Sequence, residues 1–390
     1  MSRSIHALAL VTVGVVAVCG ALVKTQDVVD PASKPLPNPN PVVVKNWGML
    51  PDGRTWGNTA GVDIGPDGNV WTYDRCGSNS CLENGVISPK NSIFKFDRKT
   101  GAMLAQFGGG QIIFPHGMHV DRDGNVWVTD GNDNAPAAAR GGGAGAGAAA
   151  GAGGRGAAAA GGQAAGRALF TPNPAATRGH QVFKFSPTGQ LLMTIGKAGG
   201  AIGDECCYQP NDVITNAAGD IFIAEGHDTG TGRIRKFSKD GKLLKTFGSP
   251  GTGPGQLSCP HALAFDSKGR LFVADRRNHR LSIFDQEGKF IENWYQFSRI
   301  SGLFIDRNDN LYAIDSESNA TAHPGWKTGV RIGKTTEDKV LAYIPGHDNG
   351  QPFLAAGEGV AVDPDGNVYG AEGPISRQAA GGGLTKYAKQ

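Results

Sequence analysis

Short apolar stretches that alternate with polar residues run through most of the chain, and six of them are variants of one design. They are GVDIGPDGNVWTYDR (61–75), GMHVDRDGNVWVTDG (117–131), DVITNAAGDIFIAEG (212–226), ALAFDSKGRLFVADR (262–276), GLFIDRNDNLYAIDS (302–316) and GVAVDPDGNVYGAEG (359–373). In each, a short alternating stretch meets a turn of the Asp-Gly-Asn kind that tolerates positive φ, and a second apolar stretch follows that ends in an acid. Each copy predicts a β-hairpin. Most hairpins are followed by another alternating pair, as in HQVFKFSPTGQLLMTIG (180–196), RIRKFSKDGKLLKTFG (233–248) and RLSIFDQEGKFIENW (280–294). Four strands per unit, at a spacing of about 40 to 57 residues, predict the blades of an all-β, six-bladed β-propeller. The last unit ends in GLTKYAKQ (383–390), which supplies a third strand and no fourth. The strand near 41–48, PVVVKNWG, looks like the fourth strands of other units, and its pairing with the last blade would close the ring and remove exposed edges.

Composition changes this picture in two places. The interval between the second and third hairpins is too long, because it holds an Ala/Gly-rich segment over 135–179. Such a stretch has no bulky side chains to bury and is expected to be a disordered insertion, which loop-closure entropy tolerates. The start has a basic residue at Arg3, an apolar run from Ala7 to Val23 and small residues at Cys19, Gly20 and Ala21. Residues 1–21 read as a signal peptide, with an uncleaved anchor or a lipidated Cys19 as alternatives, 22–40 as a linker and 41–390 as the propeller. The chain is therefore expected to be exported, periplasmic or extracellular. Cys76 and Cys81 suit a short stapled loop, while one of the vicinal pair Cys206 and Cys207 could reach Cys259.

Charge excludes more than it suggests. With 38 basic and 35 acidic residues the net charge is +3, too balanced to mark nucleic acid or an anionic membrane as the main partner. The expected partner is a small molecule or a peptide C-terminus, with membrane contact only through an uncleaved N-terminal anchor, and the chain is expected to be monomeric.

The candidate chemistry emerges from register. The residues just before the six hairpins are Ala60, His116, Asn211, His261, Ser301 and Glu358. Hairpin pairing sets them beside the residues that end the second strands, Arg75, Gly131, Gly226, Arg276, Ser316 and Gly373 with the acid before each. All should lie at one end of the ring, in a polar pocket at the channel mouth. The repeated acid reads first as a structural acceptor of backbone N–H groups, although Asp130 and Asp275, with Asn211, also fall at the expected binding rim. The Pro-His pairs at His116 and His261 are harder to explain structurally, because proline presets the backbone and could aim both rings at one centre. His119 is expected to point elsewhere.

The repeats resemble those of the NHL propellers, with VADRRNHRLSIFDQEGKF the nearest match, and within them the peptidyl-α-hydroxyglycine α-amidating lyases. That resemblance implies a zinc-dependent lyase that cleaves a C–N bond to give an amide and glyoxylate. It implies zinc on His116 and His261, and catalytic arginines at Arg75 and Arg276. Glu358 stands where the family has its third Pro-His ligand, and His227 where it has a catalytic tyrosine. The implied roles are then metal binding for His116, His261 and Glu358, and proton abstraction for His227. Two alternatives stand beside this one: a non-catalytic propeller that binds peptide, protein or glycan, and a metal-dependent lactonase-like hydrolase in which the acidic ring holds calcium.

Overall fold

The computed structural model describes residues 28–44, 47–136, 172–227, 232–348, 354–373 and 383–390. The signal-peptide reading and most of the Ala/Gly insertion lie outside these residues. Among them, the strands build six four-stranded antiparallel sheets, each in simple sequential order except the last. Their innermost strands are Val62–Ile64, Pro115–Val120, Pro210–Thr215, Pro260–Phe265, Gly302–Ile305 and Gly359–Val362, which open blades 1 to 6. These strands pack side by side around an axis, with blade 6 against blade 1, so the molecule is a closed six-bladed β-propeller.

Local sequence explains the blades. In four of the hairpins the first turn residue, Asp121, Asp266, Asp306 or Asp363, accepts hydrogen bonds from backbone N–H groups two and four residues on. The left-handed position of the turn is glycine at Gly124 and Gly366, while blade 5 places Asp309 there at φ 57°. Second strands such as Val126–Asp130 and Leu271–Asp275 are buried throughout, because neighbouring blades cover both faces. Fourth strands such as Met103–Phe107 alternate in exposure, as the polar positions in their sequence require.

The repeated acid has a defined structural duty. Asp74, Asp130, Glu225 and Asp275 accept the backbone N–H of Gly57, Ile113, Tyr208 and Ser258, each 17 residues earlier. In blade 5 the Ser298 hydroxyl takes the place of that N–H on Asp315. Each carboxylate therefore ties the incoming loop to the end of its own hairpin. Asp130 and Asp275, expected at a binding rim, are buried and turned to the backbone instead, because unpaired N–H groups of the entry loops lie within their reach.

The expected closure is present. Val42–Val44 pairs antiparallel with Leu384–Ala388 as the fourth strand of blade 6, with Val42 opposite Ala388. The segment before it crosses the rim as a strap. Leu36 packs on the apolar cluster between blades 4 and 5, Tyr343 N–H donates to Pro37 O at 2.9 Å, and Asn40 Nδ2 donates to Gly366 O and Tyr387 O. Asp30 is buried against Arg331, with Oδ1 2.8 Å from Nη2.

Of the cysteines, Cys76 and Cys81 form the expected short disulfide. Cys206 and Cys207 bond to each other, not to Cys259, which is a buried thiol outside both disulfides. The vicinal pair packs with Trp127 and Ile195 in the cluster between blades 2 and 3, whereas Cys259 enters blade 4. No helix among the described residues is long and apolar enough to cross a membrane.

Candidate metal centre

The axial cavity is lined by the inner strands, and His116, Asn211, His261 and Ser301 meet there, with Ala60 of blade 1 and Gly359 of blade 6. Three of those strands begin with proline, at Pro115, Pro210 and Pro260, and all three carry a register shift directly after it. A bulge removes the next residue from the ladder and re-aims its side chain. This is how the two Pro-His pairs turn their rings toward the axis.

His116 and His261 are held in the same way. His116 Nδ1 lies 2.8 Å from Asn211 O, and His261 Nδ1 lies 2.6 Å from Ser301 O, in each case the carbonyl of the next blade's equivalent residue. A carbonyl only accepts, so both Nδ1 atoms carry the proton and both Nε2 lone pairs face the mouth. The ring centroids are 4.8 Å apart, and the buried His261 Nε2 has no hydrogen-bond partner. Burial, with the charges of His227 and Arg75 next, holds His116 well below the usual imidazole range. Burial and Arg276 do the same to His261. Both rings are neutral and can act as ligands.

The third member of the cluster is His227. One ligand atom from each of His116, His227 and His261 lies within 4.8 Å of the others. A zinc ion bound at about 2.0–2.1 Å would need these atoms to draw in to roughly 3.3 Å. Glu358 does not join this group, and the reason is topological. The histidines come from blades 2, 3 and 4, whereas Glu358 precedes the inner strand of blade 6, opposite blade 3 in a six-membered ring. His227, which the resemblance marked as a base, therefore stands in the histidine cluster, and Glu358, which it marked as a ligand, belongs to the blade opposite.

Two buried arginines flank the cluster. Arg75 donates from Nε to Pro115 O at 3.0 Å and from Nη1 to Asn79 Oδ1 at 3.0 Å, while its guanidinium lies over Phe114, 3.6 Å from the ring centre. Its Nη2 is buried with no hydrogen-bond partner. Arg276 donates from Nη2 to His227 Nε2 at 3.2 Å, and its Nη1 lies 3.4 Å from Glu317 Oε1. Arg276 holds the Glu317 carboxyl down at about 2, and Arg299 also pairs with it at 2.7 Å. Asn211 is committed to structure, donating to Pro260 O at 2.7 Å. His119, as expected, points elsewhere, to Asp63 and Thr215.

Three residues of this site escaped the sequence reading. Asn79 lies in the loop closed by Cys76 and Cys81 and receives both Arg75 and Asn58. Its signal was its place four residues after Arg75, between two cysteines. Glu317 and Arg299 come from blade 5, whose hairpin carries neither histidine nor arginine at the mouth, so nothing in the repeat marked them.

The comparisons agree with this architecture. Residues 257–284 match the family model of the NHL repeat. A peptidyl-alpha-hydroxyglycine alpha-amidating lyase of Drosophila melanogaster is 28% identical over 262 residues, 62% of this chain and 51% of that protein. A peptidyl-glycine alpha-amidating monooxygenase of Xenopus laevis is 26% identical over 339 residues, 80% of this chain and 32% of that protein. The chain thus matches about half or less of these relatives' own length. Among solved structures, a gluconolactonase of Xanthomonas campestris aligns at a TM-score of 0.50 and 12% identity over 86% of this chain and 88% of that one, a likeness of fold alone.

Proposed function

We propose that this six-bladed NHL-repeat propeller is a zinc-dependent carbon–nitrogen lyase that acts on an α-hydroxyglycine-type substrate, such as a hydroxylated peptide C-terminus, and releases an amide and glyoxylate. The observation that carries this reading is the convergence of three imidazoles between two buried arginines. The names of the relatives give the substrate class. Nitrogen donors favour zinc over calcium, and the carboxylates that calcium would need are already engaged, Asp130 by backbone N–H groups and Asp275 by Ser258 N–H, Arg280 and Asn278.

His116, His227 and His261 would hold the ion, which when bound supplies a Lewis acid for the substrate hydroxyl. Arg75, with its unpartnered Nη2, offers the planar donors that a carboxylate requires. Arg276 has a linked role. A neutral imidazole has one lone pair, and in His227 it now accepts from Arg276. Were His227 to hold the ion, that hydrogen bond would be given up, and Arg276, held in place by Glu317, would stand beside the site to meet an anionic substrate. The two disulfides support an oxidising setting outside the cytoplasm.

Incubation with a hydroxyglycine-terminated peptide is expected to release glyoxylate, with the activity lost on chelation and restored by zinc. A chain that binds no stoichiometric metal and yields no glyoxylate would overturn the proposal. A second expectation concerns Asn79. Asn79→Ala removes the acceptor of a charged donor, worth about 1.5–3 kcal/mol, so kcat/KM should fall roughly tenfold or more with zinc content unchanged. Unaltered kinetics would mean that Arg75 does not need this support.

A further inference from the structure

The geometry points to Glu358 as the group that carries the proton in this reaction, taking it from the substrate hydroxyl and delivering it to the departing nitrogen. This rests on the lyase reading above. Once His227 is a ligand it has no lone pair left for a base, because its second nitrogen must bear hydrogen. The proton acceptor has to come from elsewhere at the mouth.

Glu358 meets the requirements of position. It is only 8% exposed. Its side chain occupies the space left by Gly373, where a Cβ would sit 2.7 Å from the Glu358 carboxyl carbon. Gly131 makes the equivalent room beside His116. Glu358 thus holds the blade 6 place in the ring that His116 and His261 hold in blades 2 and 4, on the side opposite His227. The charged groups around it are Arg75 and Arg276, which would bind the substrate carboxylate, with Glu317 and His227. A substrate lying between the histidines and blade 6 would present its hydroxyl to the metal side and its reacting bonds to Glu358.

The step balances with no other reactant. The carboxylate takes the O–H proton, the C–O bond becomes C=O, and the C–N bond breaks with its electron pair on nitrogen. The same proton then passes to nitrogen, which leaves as the amide, and Glu358 ends ionised as it began. General acid–base transfer of this kind contributes about 10²–10⁴-fold.

The test compares zinc retention, melting and turnover in the wild type, Glu358→Gln, Glu358→Ala and His227→Ala. Glu358→Gln should keep wild-type zinc and KM to within a few fold while kcat falls about 10²–10⁴-fold. Added formate should restore part of the Glu358→Ala rate, and His227→Ala should lose zinc on dialysis. Loss of zinc from Glu358→Gln with retention by His227→Ala would return the ligand role to Glu358 and overturn the inference, as would an unchanged kcat in Glu358→Gln. A wild-type chain that binds zinc but makes no glyoxylate rejects the lyase reading, and the proton role with it. An active wild type with fully active Glu358→Gln rejects the proton role alone.

Discussion

Replacing His261 with alanine is expected to strip the metal from the chain and lower glyoxylate release on the order of a thousandfold. Losing only a ligand's supporting partner typically costs about 10–100-fold in affinity or activity, and a ligand itself should cost more. Lewis-acid stabilisation is worth several kcal/mol, and each 1.4 kcal/mol is about tenfold in rate. His261 is the ligand to choose because its Nε2 is buried without a hydrogen-bond partner, so no internal contact is lost with that atom. His119→Ala is the control. That ring bridges Asp63 and Thr215 and should leave zinc content untouched. Metal analysis of both variants beside a thermal melt decides the matter. A folded His261→Ala that keeps one zinc per chain and normal turnover would remove the metal centre from the account.

The largest expected stability effect lies far from the site. Asp30→Ala should destabilise the protein by about 3 kcal/mol, because it removes the nearer carboxylate from the buried Arg331 guanidinium and leaves it only Asp315, 3.9 Å away. Arg331 is fully buried, and its contacts include Asp30 Oδ1 at 2.8 Å, Lys327 O at 2.9 Å and the rings of Trp326 and Tyr343. The Asp30→Ala, Arg331→Met double variant should recover much of the loss, since replacing both charges removes the desolvation cost as well as the attraction. Urea unfolding of the single and double variants measures this. A single-variant cost under about 1 kcal/mol would mean that water or another group compensates Arg331.

The blades and their register were legible because each hairpin announces itself locally, through a short polar turn, an apolar second strand and a closing acid. His116, His261, Arg75 and Arg276 were legible for the same reason, since a position in a repeat becomes a position on a ring. The parts played by His227 and Glu358 were not. Blade order alone sets blade 3 between the two histidine blades and blade 6 opposite, but the resemblance assigned the two residues the reverse roles. The backbone-accepting duty of Asp130 and Asp275 was legible from their repetition, whereas the N–H groups they meet, in loops outside the repeat, were not. The pairing of a vicinal cysteine with Cys259 joined residues by count, while Cys206 and Cys207 pack between blades 2 and 3 and Cys259 directly precedes the inner strand of blade 4.

The ring closure also has a temporal side. Val42 faces Ala388 from far along the chain, whereas every other blade is assembled from one contiguous piece. As the polypeptide emerges, blades 1 to 5 can each finish their sheet from what is already at hand. Blade 6 waits for the final strand, and until it arrives Val42–Val44 remains an open edge able to pair with a stranger. Latching is therefore expected to come late in folding, and in the finished ring Asp30 anchors the chain ahead of that strand to Arg331 of blade 5.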